Sequence, residues 1–374
     1  MRPTYAEIDL GAIHYNLKQI RKKVGRRPLI MAVVKANAYG HGMIQVARSI
    51  LKDGTAGYFG VAIVEEGIQL RENGIAAPVL VLTAAPEPQL ELFVKHGLEA
   101  TICSMAVARK LDRVAARTGG EGIIHVKVDT GMGRIGIPPV DAVAFVEELR
   151  KLKHLKVAGV FTHFATSDDR DHTFAKRQLS TFKSLLAALH AAGFDIPLKH
   201  CANSGAILQH PDSYFDLVRP GIMIYGHPPS RTVSPMLPLR PAMSLRSRIE
   251  FMKTVEKGTS ISYGRRYFTR GRTTIGSVAI GYGDGFSRRL TNKASVLVNG
   301  KRFPVVGTIC MDQVMIDVGI RSSCKVGDRV TLMGKDGKEE ISIWQISDQL
   351  GTIPYEVCCS ITERVPRNYI HGRS

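Results

Sequence analysis

The chain has 374 residues, 44% of them hydrophobic and 22% charged, which excludes a disordered or fibrous chain and allows two folded domains. Its 51 basic and 33 acidic residues give a formal net charge of +18. Because the basic residues are spread along the chain without a nucleic-acid motif, we expect no nucleic-acid partner. The absence of a leader pattern and of a membrane-length apolar run predicts a cytoplasmic protein with no membrane partner.

Short apolar runs rich in β-branched residues alternate with helical patterns between residue 28 and about residue 226. The runs are PLIMAVVK, YFGVAIVE, APVLVLT, LEATICS, IIHVKVD, KVAGVFTHF, IPLKHCANS and FDLVRP. The segments VDAVAFVEELRKLKH and FAKRQLSTFKSLLAALHAAG between them are typical of amphipathic helices. Eight strand and helix units over roughly 200 residues predict a (β/α)8 TIM-like barrel rather than an open doubly wound sheet.

The pattern changes after a proline-rich connection, HPPSRTVSPMLPLRP. Short alternating strands separated by Gly, Asp and Asn turns follow, with one helix expected in ISIWQISDQLG. We therefore predict an α/β barrel domain over residues 1–234 and a mostly β C-terminal domain over residues 235–374. The first ten or so residues are expected to pair with the β domain.

Most of the predicted barrel strands end in a polar residue: Lys35, Glu65, Thr83, Asp129, His163, Asn203 and Arg219. The carboxyl ends of barrel strands meet at one mouth, where active sites of this fold lie. These side chains are thus expected to share one pocket. The six scattered cysteines lack C-x-x-C spacing, so we expect reduced thiols and no metal site.

A lysine at a strand end is a candidate for covalent chemistry with an aldehyde or ketone. The last two barrel loops, CANSGA and RPGIMIYG, offer Ser204, Gly221 and Ile222 as donors to a phosphate. Lys35 with such a site suggests pyridoxal 5'-phosphate, and a Schiff-base aldolase acting on a sugar phosphate is the alternative. Arg219 favours the pyridoxal cofactor, because an arginine at the ring nitrogen would leave that nitrogen without a proton.

The motif HVKVDTGMGRIG places two charged residues, Lys127 and Asp129, two positions apart on a predicted strand. Residues two apart on a strand face the same side, so we expect both to point into the barrel. An inward lysine needs a partner or a modification. Arg134 follows in a glycine-rich loop and could bind a carboxylate with two hydrogen bonds.

A set of motifs runs from the first barrel strand to the C-terminus: in order, AVVKANAYGHG, VDTGMGRIG, THFATSD, NS, RPGIMIYG, SISYGRRY, GYGDG, GTICMDQVMIDV and PYEVCCSITERVPR. This set resembles the motif set of the alanine racemases. The resemblance implies racemisation of L-alanine and D-alanine with pyridoxal 5'-phosphate, supplying D-alanine for peptidoglycan. It also implies a head-to-tail homodimer in which each site borrows a tyrosine from the partner.

The resemblance assigns roles to particular residues. Lys35 and Tyr263 would be the two bases, on opposite faces of the cofactor. The cofactor contacts would come from Lys35, Tyr39, Arg134, His163, Asn203, Ser204, Arg219, Gly221, Ile222 and Tyr355. Arg134 and Met311 would bind the substrate carboxylate. Lys127 matches a lysine that is carbamylated in many members, and Asp312 and Tyr282 match residues at the entrance.

Three other functions remain open at this point. A decarboxylase of the same architecture would need a different proton donor, typically a cysteine. A racemase of serine or of many amino acids would keep the two bases. A pyridoxal-binding barrel without enzymatic activity would lack the β domain, which residues 235–374 argue against.

Overall fold

The computed structural model describes residues 2–234 and 236–372. Met1, Pro235, Arg373 and Ser374 lie outside the described residues, and the predicted domain limits at 1, 235 and 374 fall on three of them. Backbone contacts divide the chain into two compact units. The barrel unit comprises residues 13–38 and 43–240, and the β unit comprises the N-terminal residues up to Ala12, Tyr39–Gly42 and the C-terminal part from Pro241.

The strands and helices are numbered here in chain order. The strands are β1 (Tyr5–Asp9), β2 (Leu29–Val33), β3 (Tyr58–Val61), β4 (Val79–Ala84), β5 (Glu99–Ile102), β6 (Gly122–Lys127), β7 (Leu155–Phe161), β8 (Leu198–His200), β9 (Leu217–Val218), β10 (Met243–Val255), β11 (Thr273–Val278), β12 (Ser295–Val298), β13 (Lys301–Pro304), β14 (Val314–Asp317), β15 (Arg329–Asp336), β16 (Glu339–Ile341) and β17 (Arg367–Ile370). The helices are α1 (Leu10–Val24), α2 (Lys35–Tyr39), α3 (Met43–Asp53), α4 (Val64–Glu72), α5 (Leu90–Lys95), α6 (Met105–Thr118), α7 (Ala142–Leu149), α8 (Thr173–Ala191), α9 (Ser204–Gln209), α10 (Ile343–Leu350) and α11 (Pro354–Cys359).

Strands β2 to β9 form one parallel sheet that curls into a barrel. In the described residues its eight strands pair in chain order from β2 to β8, and β9 pairs with β2. Between β8 and β9 two backbone hydrogen bonds bridge the seam, from Asp216 N–H to the Lys199 carbonyl (3.1 Å) and from Arg219 N–H to the Ala202 carbonyl (2.9 Å). Each of the eight predicted runs overlaps one of these strands, so the predicted barrel is confirmed.

The barrel interior is filled by side chains rather than left as a pore. Met31, Tyr58, Leu80 and Leu217, from four different strands, form a buried cluster. Parallel strands covered on both faces need such continuously apolar sequences, which is why the runs were visible in the chain. The apolar layer supports the polar residues that the strand ends carry.

The β unit is built around a sheet with the order β13, β12, β15, β10, β1, β17. Strand β1 is antiparallel to β10 and parallel to β17, while β11 and β14 extend from β10. The expected helix is α10, which begins at the N-cap Ser342 and ends at Gly351 with a positive φ of 68°. A second helix, α11, was not predicted, because its six residues are too short to show a helical period.

Candidate active site

Lys35 lies just beyond strand β2, at the start of an unusual turn. The following residues Ala36, Asn37, Ala38 and Tyr39 have φ values of 51° to 54°, so α2 is a left-handed turn rather than an ordinary helix. A left-handed conformation costs roughly 1–2 kcal/mol for each residue other than glycine. The surrounding structure must therefore stabilise this turn, and its position directly after Lys35 suggests that it fixes the lysine backbone.

Three hydrogen bonds hold the turn. The Glu66 carboxylate accepts the Ala36 N–H at 2.5 Å, and the Asn37 side chain accepts the Met43 N–H at 2.8 Å. The Ala38 N–H reaches the Val34 carbonyl at 2.7 Å. The sequence predicts Glu65 among the strand-end residues of the shared pocket, but β3 ends at Val61 and Glu65 is exposed on α4. Its neighbour Glu66 contacts the lysine turn instead.

Arg219 follows strand β9 and is almost completely buried, with 4% of its surface exposed. Its Nη1 donates to His200 Nδ1 at 2.7 Å. Its Nη2 donates to the Thr162 carbonyl (2.8 Å), the Cys201 carbonyl (3.1 Å) and His163 Nδ1 (3.2 Å). Burial lowers the pKa of Arg219 to about 10, so the guanidinium is still a cation near neutral pH. It is a fixed positive charge at the barrel mouth.

Lys35 and Arg219 follow two strands that pair directly with each other. Strands β2 and β9 are parallel neighbours, with Leu29 opposite Leu217. Beyond the strand ends, the Val33 N–H still donates to the Pro220 carbonyl at 3.1 Å. The lysine and the buried arginine are therefore carried by adjacent backbone segments at the same end of the barrel.

His163, which follows strand β7, is kept neutral by its surroundings. Burial and the Arg219 guanidinium lower the pKa of His163 well below its usual range. Further positive charges that lower it belong to Lys127, Arg134 and Lys35. Because arginine can only donate, His163 must accept the Arg219 hydrogen bond through Nδ1, which leaves Nε2 to carry the proton.

Lys127 ends strand β6 and is buried, with 2% of its surface exposed. Its Nζ donates to the Val128 carbonyl at 3.0 Å and lies 5.3 Å from the centre of the Phe161 ring. Burial and the nearby Arg219 lower the pKa of Lys127 to about 7. A large share of this lysine is a neutral amine at neutral pH, which is the form that reacts with carbon dioxide.

The sequence predicts that Asp129 and Lys127 lie on the same face of one strand, but the structure places Asp129 beyond the end of that strand. Strand β6 ends at Lys127, and the Asp129 carboxylate accepts the N–H groups of Gly131 (2.9 Å), Met132 (2.7 Å) and Gly133 (2.9 Å). It thereby folds the glycine-rich loop. Arg134, the next residue of that loop, is exposed to solvent.

The loops after β8 and β9 are joined by a serine. Ser204 Oγ accepts the Gly221 N–H at 3.0 Å, so the hydroxyl proton remains available to an anion. Asn203 caps α9 by accepting the Ala206 N–H at 3.0 Å. Ile222 opens a short 3-10 helix directly after Gly221. These are the donor types that bind phosphate in barrels of this kind.

The predicted site residues of the β unit lie mainly on its surface. Tyr263 is 73% exposed and Met311 is 51% exposed. Two loops of this unit are tied together, because Tyr282 N–H donates to the Cys310 carbonyl (3.0 Å) and Gly283 N–H donates to the Met311 carbonyl (2.9 Å).

The remaining predicted residues of this unit form two pairs. Asp312 is ion-paired with Arg364 at 2.6 Å. The ring centres of Tyr39 and Tyr355 are 6.0 Å apart, although their residues are far apart in the chain. The tyrosine pair belongs to one compact unit.

Sequence reasoning missed four buried polar residues of the barrel, namely Tyr58, Glu99, His125 and His200, and the half-buried Glu66. A weak signal existed for one of them, since His125 and Lys127 occupy alternate positions of a single strand. In the described ranges no group of three or more His, Cys, Asp or Glu residues is arranged to hold a metal ion. No helix within those ranges has the length and apolarity needed to cross a membrane.

These residues fit a phosphate-bearing aldehyde with an aromatic nitrogen. Lys35 supplies the amine, Ser204 and the N–H groups beside it supply phosphate donors, and the buried Arg219 supplies a cation. The donor set contains no ligand arrangement for a metal and matches pyridoxal 5'-phosphate in chemistry.

Comparisons with known proteins cover both units. The family model "Alanine racemase, N-terminal domain" matches residues 8–229, and "Alanine racemase, C-terminal domain" matches residues 242–369. The alanine racemase of Halothermothrix orenii is 44% identical over 98% of this chain and 97% of its own length. A solved alanine racemase of Clostridium difficile 630 is 42% identical, with a TM-score of 0.95 over 99% of this chain and 96% of that chain. A histidine racemase of Leuconostoc mesenteroides is 28% identical, with a TM-score of 0.91 over 99% of this chain and 98% of that chain.

Proposed function

The chain belongs to the alanine racemase family and is an isomerase, and we propose that it interconverts L-alanine and D-alanine with pyridoxal 5'-phosphate and two proton-transferring residues. The observation that carries the proposal is the pairing of β2 with β9, which brings the residues after both strands, Lys35 and Arg219, to one end of the barrel. A pyridoxal enzyme requires a lysine amine for the cofactor aldehyde and a partner, Asp or Arg, at the ring nitrogen.

We propose that Lys35 bonds covalently to the cofactor aldehyde and that Arg219 meets its ring nitrogen. The phosphate would be bound by Tyr39, Ser204, Gly221, Ile222 and Tyr355, with Asn203 shaping the loop. When bound, pyridoxal phosphate makes the α-hydrogen of the amino acid acidic by delocalising charge into its ring. The protein's own task is to hold the amino acid and to move one proton on each face.

The two proton carriers in this proposal are the Lys35 Nζ and the Tyr263 hydroxyl of the partner subunit. A racemase must deliver a proton to either face of the same carbon, so it needs a base on each side. The exposure of Tyr263 supports this, because a catalytic phenol that is 73% exposed in one chain is free to serve a second copy. His163, neutral and held by Arg219, would hydrogen-bond that phenol.

Arg134 and the backbone N–H of Met311 are proposed to bind the alanine carboxylate, and Asp312 and Tyr282 to line the entrance. Lys127 is proposed to be carbamylated, since a neutral buried amine reacts with carbon dioxide to give a carbamate and a proton. The carbamate would carry a negative charge near Arg219 and Arg134, whose positive charges act on Lys127. It would thereby orient Arg134.

The biological role within this proposal is the supply of D-alanine for peptidoglycan by a homodimer. A cytoplasmic location, expected from the sequence, stays a prediction. Alanine is proposed as the main substrate, although the histidine racemase of the same fold makes serine and histidine necessary comparisons in any assay.

The test is incubation of the cofactor-loaded protein with L-alanine in D2O, following both the α-proton signal and the optical activity. We expect the α-proton to disappear while optical activity falls to zero and no amine is released. Exchange without loss of optical activity would contradict the second base, and ethylamine would reveal a decarboxylase. Lys35→Ala protein serves as the matched control and should show neither exchange nor racemisation.

A further inference from the structure

A chain of buried polar side chains runs from Arg219 into the barrel interior. His200 Nδ1 lies 2.7 Å from Arg219 Nη1, and His200 Nε2 lies 2.9 Å from His125 Nδ1. His125 Nε2 lies 2.8 Å from Glu99 Oε2, which also accepts the Tyr58 hydroxyl. Glu99 is 7% exposed, and both histidines are fully buried. We call Glu99, His125 and His200 the Glu99 chain.

The two ends of the Glu99 chain fix the position of every proton in it. Arginine has no acceptor, so His200 must accept through Nδ1 and carry its proton on Nε2. His125 must then accept through Nδ1 and donate from Nε2 to Glu99, whose carboxylate only accepts. Both imidazoles are therefore neutral, and every hydrogen bond points from Arg219 towards Glu99.

The charges support the same arrangement. Burial and Arg219 lower the pKa of His200 well below its usual range, which keeps the ring neutral. Burial and the Glu99 carboxylate raise the pKa of Tyr58, so its hydroxyl remains a donor. A buried carboxylate and a buried guanidinium are each costly alone, and two neutral imidazoles connect them.

The two terminal nitrogens of Arg219 have different hydrogen-bond partners. Its Nη2 meets carbonyl oxygens and His163, while its Nη1 meets His200. The Phe161 ring is stacked on His200, with ring centres 4.8 Å apart and planes 3° apart. The position of the Arg219 Nη1 group therefore depends on the position of the His200 ring. The position of that ring depends in turn on its hydrogen bond to His125 and on the hydrogen bond from His125 to Glu99.

We propose that Glu99, acting through His125 and His200, is a positioning residue that holds Arg219 in the orientation and charge state in which it meets the cofactor ring nitrogen. This inference rests on the proposed function, because that function supplies the pyridoxal ring. Glu99 itself touches neither cofactor nor substrate in this scheme. Its effect is expected on the cofactor and on the proton-transfer step, and not on alanine binding.

The first test uses cofactor-free protein labelled with 15N-histidine, so it does not depend on the proposed function. NMR should find His125 and His200 both protonated on Nε2, and His200 neutral from pH 6 to pH 9. A His200 proton on Nδ1, or a charged ring in that range, overturns the proposal, because such a ring cannot accept from Arg219. This measurement decides the matter even if a variant of Glu99 does not fold.

The second test compares Glu99→Gln with the wild type after circular dichroism has shown that the variant is folded. Removal of the charge should weaken pyridoxal phosphate binding roughly tenfold and lower kcat roughly tenfold, with the KM for alanine unchanged. Glu99→Asp, which keeps the carboxylate, should recover most of both losses. The control is Glu91→Gln, which removes an exposed partner of Arg117 and should change nothing.

Three outcomes are distinguishable. Wild-type protein that binds no pyridoxal phosphate contradicts the proposed function and leaves the NMR result standing for the Glu99 chain. Folded Glu99→Gln protein with wild-type affinity and kcat overturns the positioning role. A variant that loses affinity but is not recovered by Glu99→Asp also overturns it, because the lost property was then shape and not charge.

Discussion

The Glu66 carboxylate accepts the backbone N–H of Ala36, so the residue next to Lys35 is tied to helix α4 by a charged group. The other Glu66 oxygen accepts the Ala62 N–H at 2.7 Å, at the end of the adjoining strand. One side chain therefore connects the turn that presents the lysine with the neighbouring βα loop. This connection is independent of any cofactor.

Substitution of Glu66 by alanine should loosen the lysine turn. We expect Glu66→Ala to lower the free energy of unfolding by about 1–3 kcal/mol, because three backbone N–H groups, of Ala36, Ala62 and Ile63, lose a charged acceptor. The covalent capture of pyridoxal by Lys35 should slow at the same time. Urea denaturation and borohydride trapping measure the two effects. Glu65→Ala, one residue earlier on an exposed position, is the control, and equal effects of both changes would contradict the prediction.

Because Ala36 is exposed and lies in the left-handed turn, two substitutions there should change the free energy of unfolding in opposite directions. Ala36→Gly should raise the free energy of unfolding by about 0.5–1 kcal/mol, because glycine adopts the positive φ of 51° without a Cβ clash. Ala36→Val should lower it by about 2 kcal/mol. The control Ala188→Gly, in the ordinary helix α8, should lower stability by about 1 kcal/mol. Thermal and urea unfolding measure these changes. A lower free energy of unfolding for Ala36→Gly than for the wild type would contradict the left-handed conformation of Ala36.

Mixing two inactive proteins tests whether sites are shared between subunits. Lys35→Ala and Tyr263→Phe homodimers should each lose activity by roughly 10²–10⁴-fold or more. After subunit exchange, a mixed dimer would contain one complete site, and about a quarter of wild-type activity should return. No recovery would show that each subunit uses its own tyrosine. Tyr267→Phe, whose hydroxyl bonds Asp317, serves as a tyrosine control and should remain active.

Lys127 predicts a stability that depends on pH. Its pKa is about 7 in the folded chain against an ordinary 10.5, so the unfolded chain binds the extra proton between these values. The cost of burying the protonated lysine therefore lowers the free energy of unfolding by its full amount below pH 7. This cost disappears as the pH rises to 10.5. In CO2-free buffer, Lys127→Met should be more stable than the wild type at pH 7, and the difference should shrink towards pH 10. Urea denaturation across this range measures it, and a difference that grows with pH would contradict the assignment.

The same lysine predicts a modification. With 13C-labelled bicarbonate, the wild type should show a carbamate carbon signal that Lys127→Met lacks. The signal should disappear on acidification, since protonation of the amine releases carbon dioxide. A spectrum without that signal at neutral pH would leave Lys127 an unmodified amine and would remove the proposed anion beside Arg134.

The barrel could be predicted from the sequence because buried parallel strands require unbroken apolar runs, as in VLVL of β4. The conformation of Ala36 could not, since alanine has no intrinsic preference for a positive φ and the turn is stabilised by Glu66 from another element. Asp129 was misjudged for a related reason, because its strand ends two residues earlier than the pattern suggests. The pattern of apolar residues predicts strands, but it does not predict which loop N–H groups will donate to a carboxylate such as that of Asp129.

The Glu99 chain was invisible for a different reason. Its members come from β5, β6 and β8, and the spacing of these polar residues along the chain does not link them. Glu99 and His125 lie on the paired strands β5 and β6, but His125 meets His200 of β8 across the intervening strand β7. A sequence alone does not say which inward positions of non-adjacent strands meet.

Because β2 pairs with β9, the barrel cannot close around Lys35 until nearly the whole barrel domain has been synthesised. The strand beside Lys35 is among the earliest parts of the barrel to be made, and its neighbour, at residues 217 and 218, is the last. At ordinary ribosomal speeds of 5–20 residues per second, the lysine is made roughly 10–40 s before the strand that completes its surroundings. A nascent chain therefore has the reactive amine long before it has a pocket. Under the proposed function, the vitamin B6 coenzyme could be retained no earlier than the completion of the barrel, so its fluorescence would report during translation that the barrel is complete.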